Sequence, residues 1–181
     1  MPAKDVRPVE RWDILDETGK NTGKTVLRGN VRLAPGEYHL VVHIWVLTPD
    51  GRLMIQRRAD DKELMPGEWA AIGGAAISGE TSLQAAKREL FEEMGIPVSD
   101  REISLIRRLT RKNSFVDVWL ARANVSLDQL ILQKSEVAEA RWIAPAALEQ
   151  MVRDGEFHNY GNDYFEIVLS AVRSAAAEVA D

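Results

Sequence analysis

Residues 40–47 carry apolar side chains at both alternating sets of positions, Leu40, Val42, Ile44 and Val46 in one set and Val41, Trp45 and Leu47 in the other. A strand with two apolar faces has to be covered on both, which places it in the middle of a sheet with further layers above and below. The turn residues Pro49, Asp50 and Gly51 follow at once, and residues 52–57 read as an antiparallel neighbour, so 40–57 is expected to form a hairpin. The rest of the chain has to supply the covering layers.

Upstream, residues 11–16 read as a short strand, the polar segment 17–23 as a turn and 24–28 as its return, an N-terminal hairpin over about 10–28. Downstream, the polar segment 58–68 is punctuated by Pro66 and Gly67, and a short apolar run at 69–72 leads into Gly73 and Gly74. Thr81 and Gln84 have the spacing of a capping box. Leu83, Ala86, Leu90 and Met94 recur at a helical period, and Gly95 followed by Pro97 ends it. Strands are expected at 103–111, 115–121 and 137–143, and helices at 144–153 and 163–179. The last helix turns Phe165, Val168, Leu169, Val172 and Ala176 to the sheet. No repeat or second linker interrupts this order. The expectation is one α+β domain over 1–181, a mixed sheet flanked by helices as an α/β/α sandwich, with its core over about 37–144 and C-terminal helices over about 144–179.

Composition narrows the function. A chain of 181 residues, 45% apolar and 28% charged, is ordinary for a soluble globular protein. Its formal charge of −5 argues against a grip on nucleic-acid backbone, which needs clustered Lys and Arg, and in favour of a small-molecule substrate. The absence of cysteine excludes disulfides, a zinc–thiolate site and a cysteine nucleophile. The charged segment 1–11 lacks the apolar core of a leader, and no apolar stretch reaches bilayer length, so a cytoplasmic protein without a membrane partner is expected. A homodimer is left open.

Chemistry enters with the helix over 81–94. Glu89, Glu92 and Glu93 stand at i, i+3 and i+4, on one face spanning roughly 100° beside the apolar stripe. Like charges at that spacing repel by a few tenths of a kcal/mol per pair, and in the last turn they also oppose the helix dipole. Two local rules broken at one place point to function, and a hard divalent cation, Mg²⁺ or Mn²⁺, would neutralise the cluster. The spacing alone is equally that of a solvated acidic helix end.

The wider string says more. Gly74, Glu80, Arg88, Glu89, Leu90, Glu92, Glu93, Gly95 and Ile96 fill every fixed position of the Nudix box, and the chain resembles the Nudix family from about 37 to 142. The resemblance implies a Nudix fold. It also implies a Mg²⁺-dependent hydrolase, with Mn²⁺ able to substitute, that cleaves a diphosphate linkage in a nucleoside diphosphate-linked or other small organic pyrophosphate by water attack at phosphorus. Glu92 and Glu93 resemble the main metal ligands, and Glu89 a further ligand or the base. Arg88 resembles the residue that orients a glutamate, and the Gly73 carbonyl a backbone ligand. Gly74 permits close approach of the cation, and Glu80 supports the loop or a second metal. Outside the box, Glu136 falls where some relatives place an extra carboxylate, and a surface glutamate is the alternative. Arg57 and Arg58 end a strand near the cleft and are candidates to hold phosphate, set against a solvated sheet edge.

Tyr38, His39, Gly67, Glu68 and Trp69, with the turn at Asp16 and Glu17, also resemble the isopentenyl-diphosphate isomerase branch of the superfamily. That branch uses a cysteine shortly after the equivalent of Trp69. This chain has Gly73 and Gly74 there and no cysteine, which disfavours isomerisation. A non-catalytic nucleotide-binding Nudix module would have lost box glutamates, and none is lost. The box does not set the substrate. Nucleoside triphosphates, nucleotide sugars and ADP-ribose are the candidates, the last weakened by the lack of proline at 107–112. His39 and His43 are expected to be structural, Trp45, Trp69, Trp119 and Trp142 to fill core, and 157–160 to connect helices.

Overall fold

The structure is a computed structural model that describes residues 9–29 and 32–180; most of segment 1–11, whose charge argues against a leader, lies outside them. Strand β3 (His39–Leu47) occupies the middle of a sheet ordered β5 (Trp69–Ala70), β4 (Leu53–Arg58), β3, β8 (Ser114–Arg122), β7 (Ile103–Thr110). Strand β6 (Ile72–Ala75) also pairs with β3, and β9 (Val137–Ile143) with β4. The β3–β8 pair is parallel and the other pairs are antiparallel, so the sheet is mixed.

The two-faced pattern of β3 divides the core. Val42, Ile44 and Val46 pack with Leu90, Met94, Ala85 and Ala86 of helix α1 (Ser82–Met94). On the opposite face Trp45 and Leu47 meet Leu148 of α2 (Pro145–Asp154) and Tyr164, Phe165 and Val168 of α3 (Asn162–Ala180). Each large apolar side chain so enclosed contributes about 1.5–3 kcal/mol relative to exposure. The sheet is therefore sandwiched, with α1 on one side and α2 and α3 on the other. On α3 the buried position is Ala175, whereas Ala176 faces out: from Val168 and Val172 the helical pitch reaches 175. Among the described residues no helix is long and apolar enough to cross a membrane.

The expected hairpin over 40–57 forms only next to its turn, where Leu47 pairs with Leu53. Beyond that point β6 takes the edge of β3, from Val41 opposite Ala75 to Ile44 opposite Ile72. Strand β4 diverges to pair with β9 and β5. A turn motif specifies that the chain reverses, but the edge it then follows is settled by competing strands.

Helix α1 starts and stops where its end residues dictate. The Thr81 hydroxyl accepts from the Gln84 N–H at 3.2 Å and the Gln84 side chain accepts from the Thr81 N–H at 2.8 Å, so two otherwise orphaned donors are satisfied. Gly95, at φ 72°, closes the helix in the left-handed conformation. The N-terminal hairpin, β1 (Arg11–Leu15) and β2 (Asn21–Leu27), forms a separate two-stranded sheet. It is tied to the core by paired backbone hydrogen bonds between Leu15 and Tyr38, at 2.8 and 2.9 Å.

Candidate active site

Strand β6, the loop 76–81 and α1 run consecutively, so the end of β6 and the inner face of α1 form one corner of the molecule. Glu93, in the last turn of α1, points into this corner and is only 3% exposed. Its Oε2 accepts from Gln56 Nε2 at 3.0 Å and from the Gly73 N–H at 3.3 Å. Burial pushes the Glu93 carboxyl up to about 8, with the charge of Glu89 adding to the shift and the Gly73 and Gln56 hydrogen bonds opposing it. Burial likewise pushes Glu89 up to about 7, against the pull of Arg88. Glu92, one turn from Arg88, is half exposed.

Arg88 organises the acidic face. Its Nε and Nη2 meet the two carboxylate oxygens of Glu80 at 2.7 and 3.0 Å, and Nη1 reaches Glu89 at 2.9 Å and Glu92 at 3.1 Å. Nη2 also donates to the Ala75 carbonyl at 3.2 Å. Burial works against the guanidinium's charge, but Glu80 and Glu89 outweigh it and raise its pKa. Glu80 in turn accepts from the Ile77 N–H at 3.0 Å. Both its oxygens are thus engaged within the loop and by Arg88.

The paired glycines make room for this arrangement. A Cβ on Gly74 would fall 2.4 Å from a Glu89 carboxylate oxygen, and one on Gly73 only 2.1 Å from the Val42 carbonyl. Any side chain at 74 would displace Glu89, and any at 73 would displace backbone.

The other expected residues sit around this corner. Glu136, just ahead of β9, is close enough to Glu93 for its charge to raise that carboxyl, and it holds Lys62 Nζ at 2.6 Å. Arg57 and Arg58 end β4 but turn to their own loop, Arg57 to Asp60 at 2.8 Å and Arg58 to the Leu64 carbonyl at 3.0 Å. Trp69 is half buried under the guanidinium of Arg141, 4.4 Å from its ring centre. Trp45 is fully buried, Trp119 nearly so, and Trp142 half buried.

His43 is hydrogen-bonded within the core, whereas the Nδ1 of His39 is buried without a partner. The buried ring of His43 shares a hydrogen bond of 3.0 Å with the Tyr164 hydroxyl, and burial lowers its pKa to about 3. His39 stacks on Trp12 with ring centres 4.2 Å apart and is lowered to about 4, again by burial. The 157–160 segment does more than connect helices. Phe157 bridges to Trp69, the His158 N–H donates to the Trp69 carbonyl at 2.8 Å, and the Tyr160 hydroxyl accepts from the Ala71 N–H at 3.3 Å.

Sequence reasoning missed Gln56, Lys62 and Asp13. Gln56 is fully buried, donates to both Glu93 and the Ala71 carbonyl, and leaves its own Oε1 without a partner. A lone amide closing the apolar run of β4 was the available signal. Asp13 accepts from the Ser78 hydroxyl and the Gly79 N–H, a contact without local signature.

Among the described residues no three His, Cys, Asp or Glu side chains are gathered round a common point. The carboxylates share a helix face but are held by Arg88, Gln56 and the Gly73 N–H, because uncompensated like charges do not converge. The donor set nevertheless fits a hard divalent cation. It is all oxygen, and burial raises both Glu89 and Glu93, with the charge of neighbouring carboxylates adding to the shift.

The family model for the NUDIX domain matches residues 37–161. A Nudix hydrolase of Listeria monocytogenes is 42% identical over 153 residues, 84% of this chain and 90% of the relative. An isopentenyl-diphosphate Delta-isomerase of Kocuria rhizophila is 29% identical over 82% of this chain and 85% of its own. A crystal structure from Deinococcus radiodurans superimposes with a TM-score of 0.73 at 26% identity, covering 89% of this chain and 98% of that one. With an unbroken box folded into strand, loop and acidic helix, and with these matches, the chain belongs to the Nudix hydrolases.

Proposed function

We propose that the chain is a Mg²⁺-dependent pyrophosphohydrolase, with Mn²⁺ able to replace Mg²⁺, that opens a diphosphate linkage in a nucleoside diphosphate-linked or other small organic substrate. The observation that carries the reading is the pair of largely buried carboxyls, Glu89 and Glu93, set against the Gly73–Gly74 bend, with Glu93 held there by the neutral donors Gln56 and the Gly73 N–H. Glu92, Glu93, Glu89 and the Gly73 carbonyl would hold the cation. Once bound, it supplies positive charge against the diphosphate oxygens and eases deprotonation of the attacking water.

The chain's own residues do the rest. Arg88 holds Glu89 and Glu92 on one face of α1 by charge-assisted hydrogen bonds. Gln56 holds Glu93 from the sheet side. Glu80, engaged through both oxygens, serves the site by orienting Arg88. Glu136 fits an auxiliary carboxylate with Lys62 as its counter-ion. Arg57 and Arg58 would reach a substrate phosphate only by leaving Asp60 and the Leu64 carbonyl. The substrate is a small molecule and the protein works in the cytoplasm.

Likeness to isopentenyl-diphosphate isomerases makes an isoprenoid diphosphate worth including among the substrates tested, although Gly73 and Gly74 stand where that branch places its cysteine. The test is incubation of purified protein with Mg²⁺ and a panel of nucleoside triphosphates, nucleotide sugars, ADP-ribose and isopentenyl diphosphate. Hydrolysis of at least one compound into phosphate-bearing products, stopped by EDTA and by Glu92→Gln, is expected. Inertness towards the whole panel, or isomerisation without hydrolysis, would contradict the reading.

A further inference from the structure

The N-terminal hairpin lies outside the residues 37–161 that match the family, yet it grips the loop from which the box helix springs. Asp13 Oδ1 accepts from the Ser78 hydroxyl at 2.6 Å and Oδ2 from the Gly79 N–H at 3.0 Å. The Arg11 carbonyl, on the same strand, accepts from the Ser78 N–H at 2.7 Å. Three hydrogen bonds from one strand thus hold two consecutive loop residues. The strand is itself anchored, since Ile14 is 1% exposed and Leu15 is doubly bonded to Tyr38 at the start of β3.

The next residue in the loop is Glu80. Its carboxylate folds back on the Ile77 N–H and takes the fork of Arg88, and Arg88 holds Glu89 and Glu92. A cavity of about 500 Å³ is lined by Arg88 and Glu92 together with Glu10, the residue preceding β1. The hairpin therefore holds the loop, and the residue before it lines the same cavity as Arg88 and Glu92.

We propose that Asp13 is a positioning residue for the cation site: by clasping Ser78 and Gly79 it sets Glu80, and through Glu80 and Arg88 it sets Glu89 and Glu92. The inference rests on the cation-binding reading given above. A charged acceptor suits this task, because one carboxylate can take a hydroxyl and a backbone N–H at once, each bond stronger than its neutral counterpart. Loss of such a supporting contact costs about 10- to 100-fold in metal affinity in comparable sites.

The experiment is a titration of the full chain with Mn²⁺ alone, free ion being counted by electron paramagnetic resonance. It compares wild type, Asp13→Ala, Asp13→Asn, Glu80→Gln, the Asp13→Ala/Glu80→Gln pair and Glu92→Gln. Thr18→Val, which alters the hairpin's turn away from the clasp, is the control. Asp13→Ala is expected to weaken Mn²⁺ binding by about 10-fold. Asp13→Asn, which keeps one acceptor, should recover part of the loss and Thr18→Val should lose nothing. The double variant should bind no more than about twofold worse than the weaker single, because both act through one chain of contacts. Hydrogen exchange at residues 77–80 should quicken in Asp13→Ala while the melting transition stays cooperative. Wild-type Mn²⁺ affinity in both Asp13 variants, with Glu92→Gln deficient, would overturn the inference and leave the proposed function standing. Full additivity of the double variant would also overturn it. Unchanged Mn²⁺ affinity in Glu92→Gln would remove the proposed function and this inference together.

Discussion

Arg88 and Glu80 meet fork to fork, Nε on Oε1 at 2.7 Å and Nη2 on Oε2 at 3.0 Å, and this contact leaves Nη1 aimed at Glu89 and Glu92. One planar group thereby sets three carboxylates. Lysine carries a single ammonium and cannot form the fork. Arg88→Lys is therefore expected to lower kcat by about 10- to 100-fold while the protein stays folded. Steady-state product assays with a circular dichroism melt check this; wild-type kcat would show that the fork is idle.

Glu92 and Glu93 should part company in stability. Glu93→Gln and Glu92→Gln should both abolish hydrolysis and weaken Mn²⁺ binding. Glu93 is buried, so removing its charge should raise the melting temperature of the metal-free protein at about pH 8, the region where the acid still titrates. Glutamine can still accept from Gln56 and Gly73. Glu92 is half exposed, and its replacement should leave the melting temperature nearly unchanged. Equal shifts in the two variants would mean that the Glu93 carboxyl is not buried as described.

The pH dependence of the metal-free protein follows from four groups. Glu93 and Glu89 are raised from 4.5 to about 8 and about 7, so the stability they contribute is complete below 4.5 and is lost as pH rises through 7 and 8. His43 and His39 are lowered from 6.5 to about 3 and about 4, so theirs is complete above 6.5 and is lost as pH falls through 4 and 3. The two trends oppose each other between 4.5 and 6.5, and stability should be greatest there. Thermal melts in EDTA should show a decline towards about pH 9, and Mg²⁺, which competes with those protons, should reverse it. A melting temperature that climbs steadily through this range in EDTA would contradict the assignment.

The two glycines should fail differently. Gly74→Ala drives a methyl into the Glu89 carboxylate, a mobile side-chain end, so activity should fall about 10- to 100-fold at modest cost in stability. Gly73→Ala drives its methyl into the Val42 carbonyl, which is fixed in the sheet, and should destabilise by about 3 kcal/mol or more. Urea titrations of both variants, run beside activity assays, test the contrast.

What could be read from the residues was what is written locally. The two-faced apolar pattern of β3 is visible in residues 40–47, and the limits of α1 in a capping box and a left-handed glycine. The acidic face was legible from helical spacing, and its meaning from the string around it. Contacts between distant segments were not legible. Gln56 meets Glu93 across 37 positions and Asp13 meets Ser78 across 65, and nothing at either end announces its partner. The hairpin at 40–57 was overread for the same reason. Its turn is local, but β6 and β9, which take its edges, come from elsewhere in the chain.

Glu89, Glu92, Glu93 and the Gly73 carbonyl are proposed to gather round a divalent cation. Anomalous diffraction from crystals soaked in Mn²⁺ tests it directly. A peak is expected between the C-terminal half of α1 and the Gly73–Gly74 bend, with carboxylate oxygens at about 2.0–2.3 Å. A map without a peak there, with the three side chains still held only by Arg88, Gln56 and the Gly73 N–H at high Mn²⁺, would contradict it.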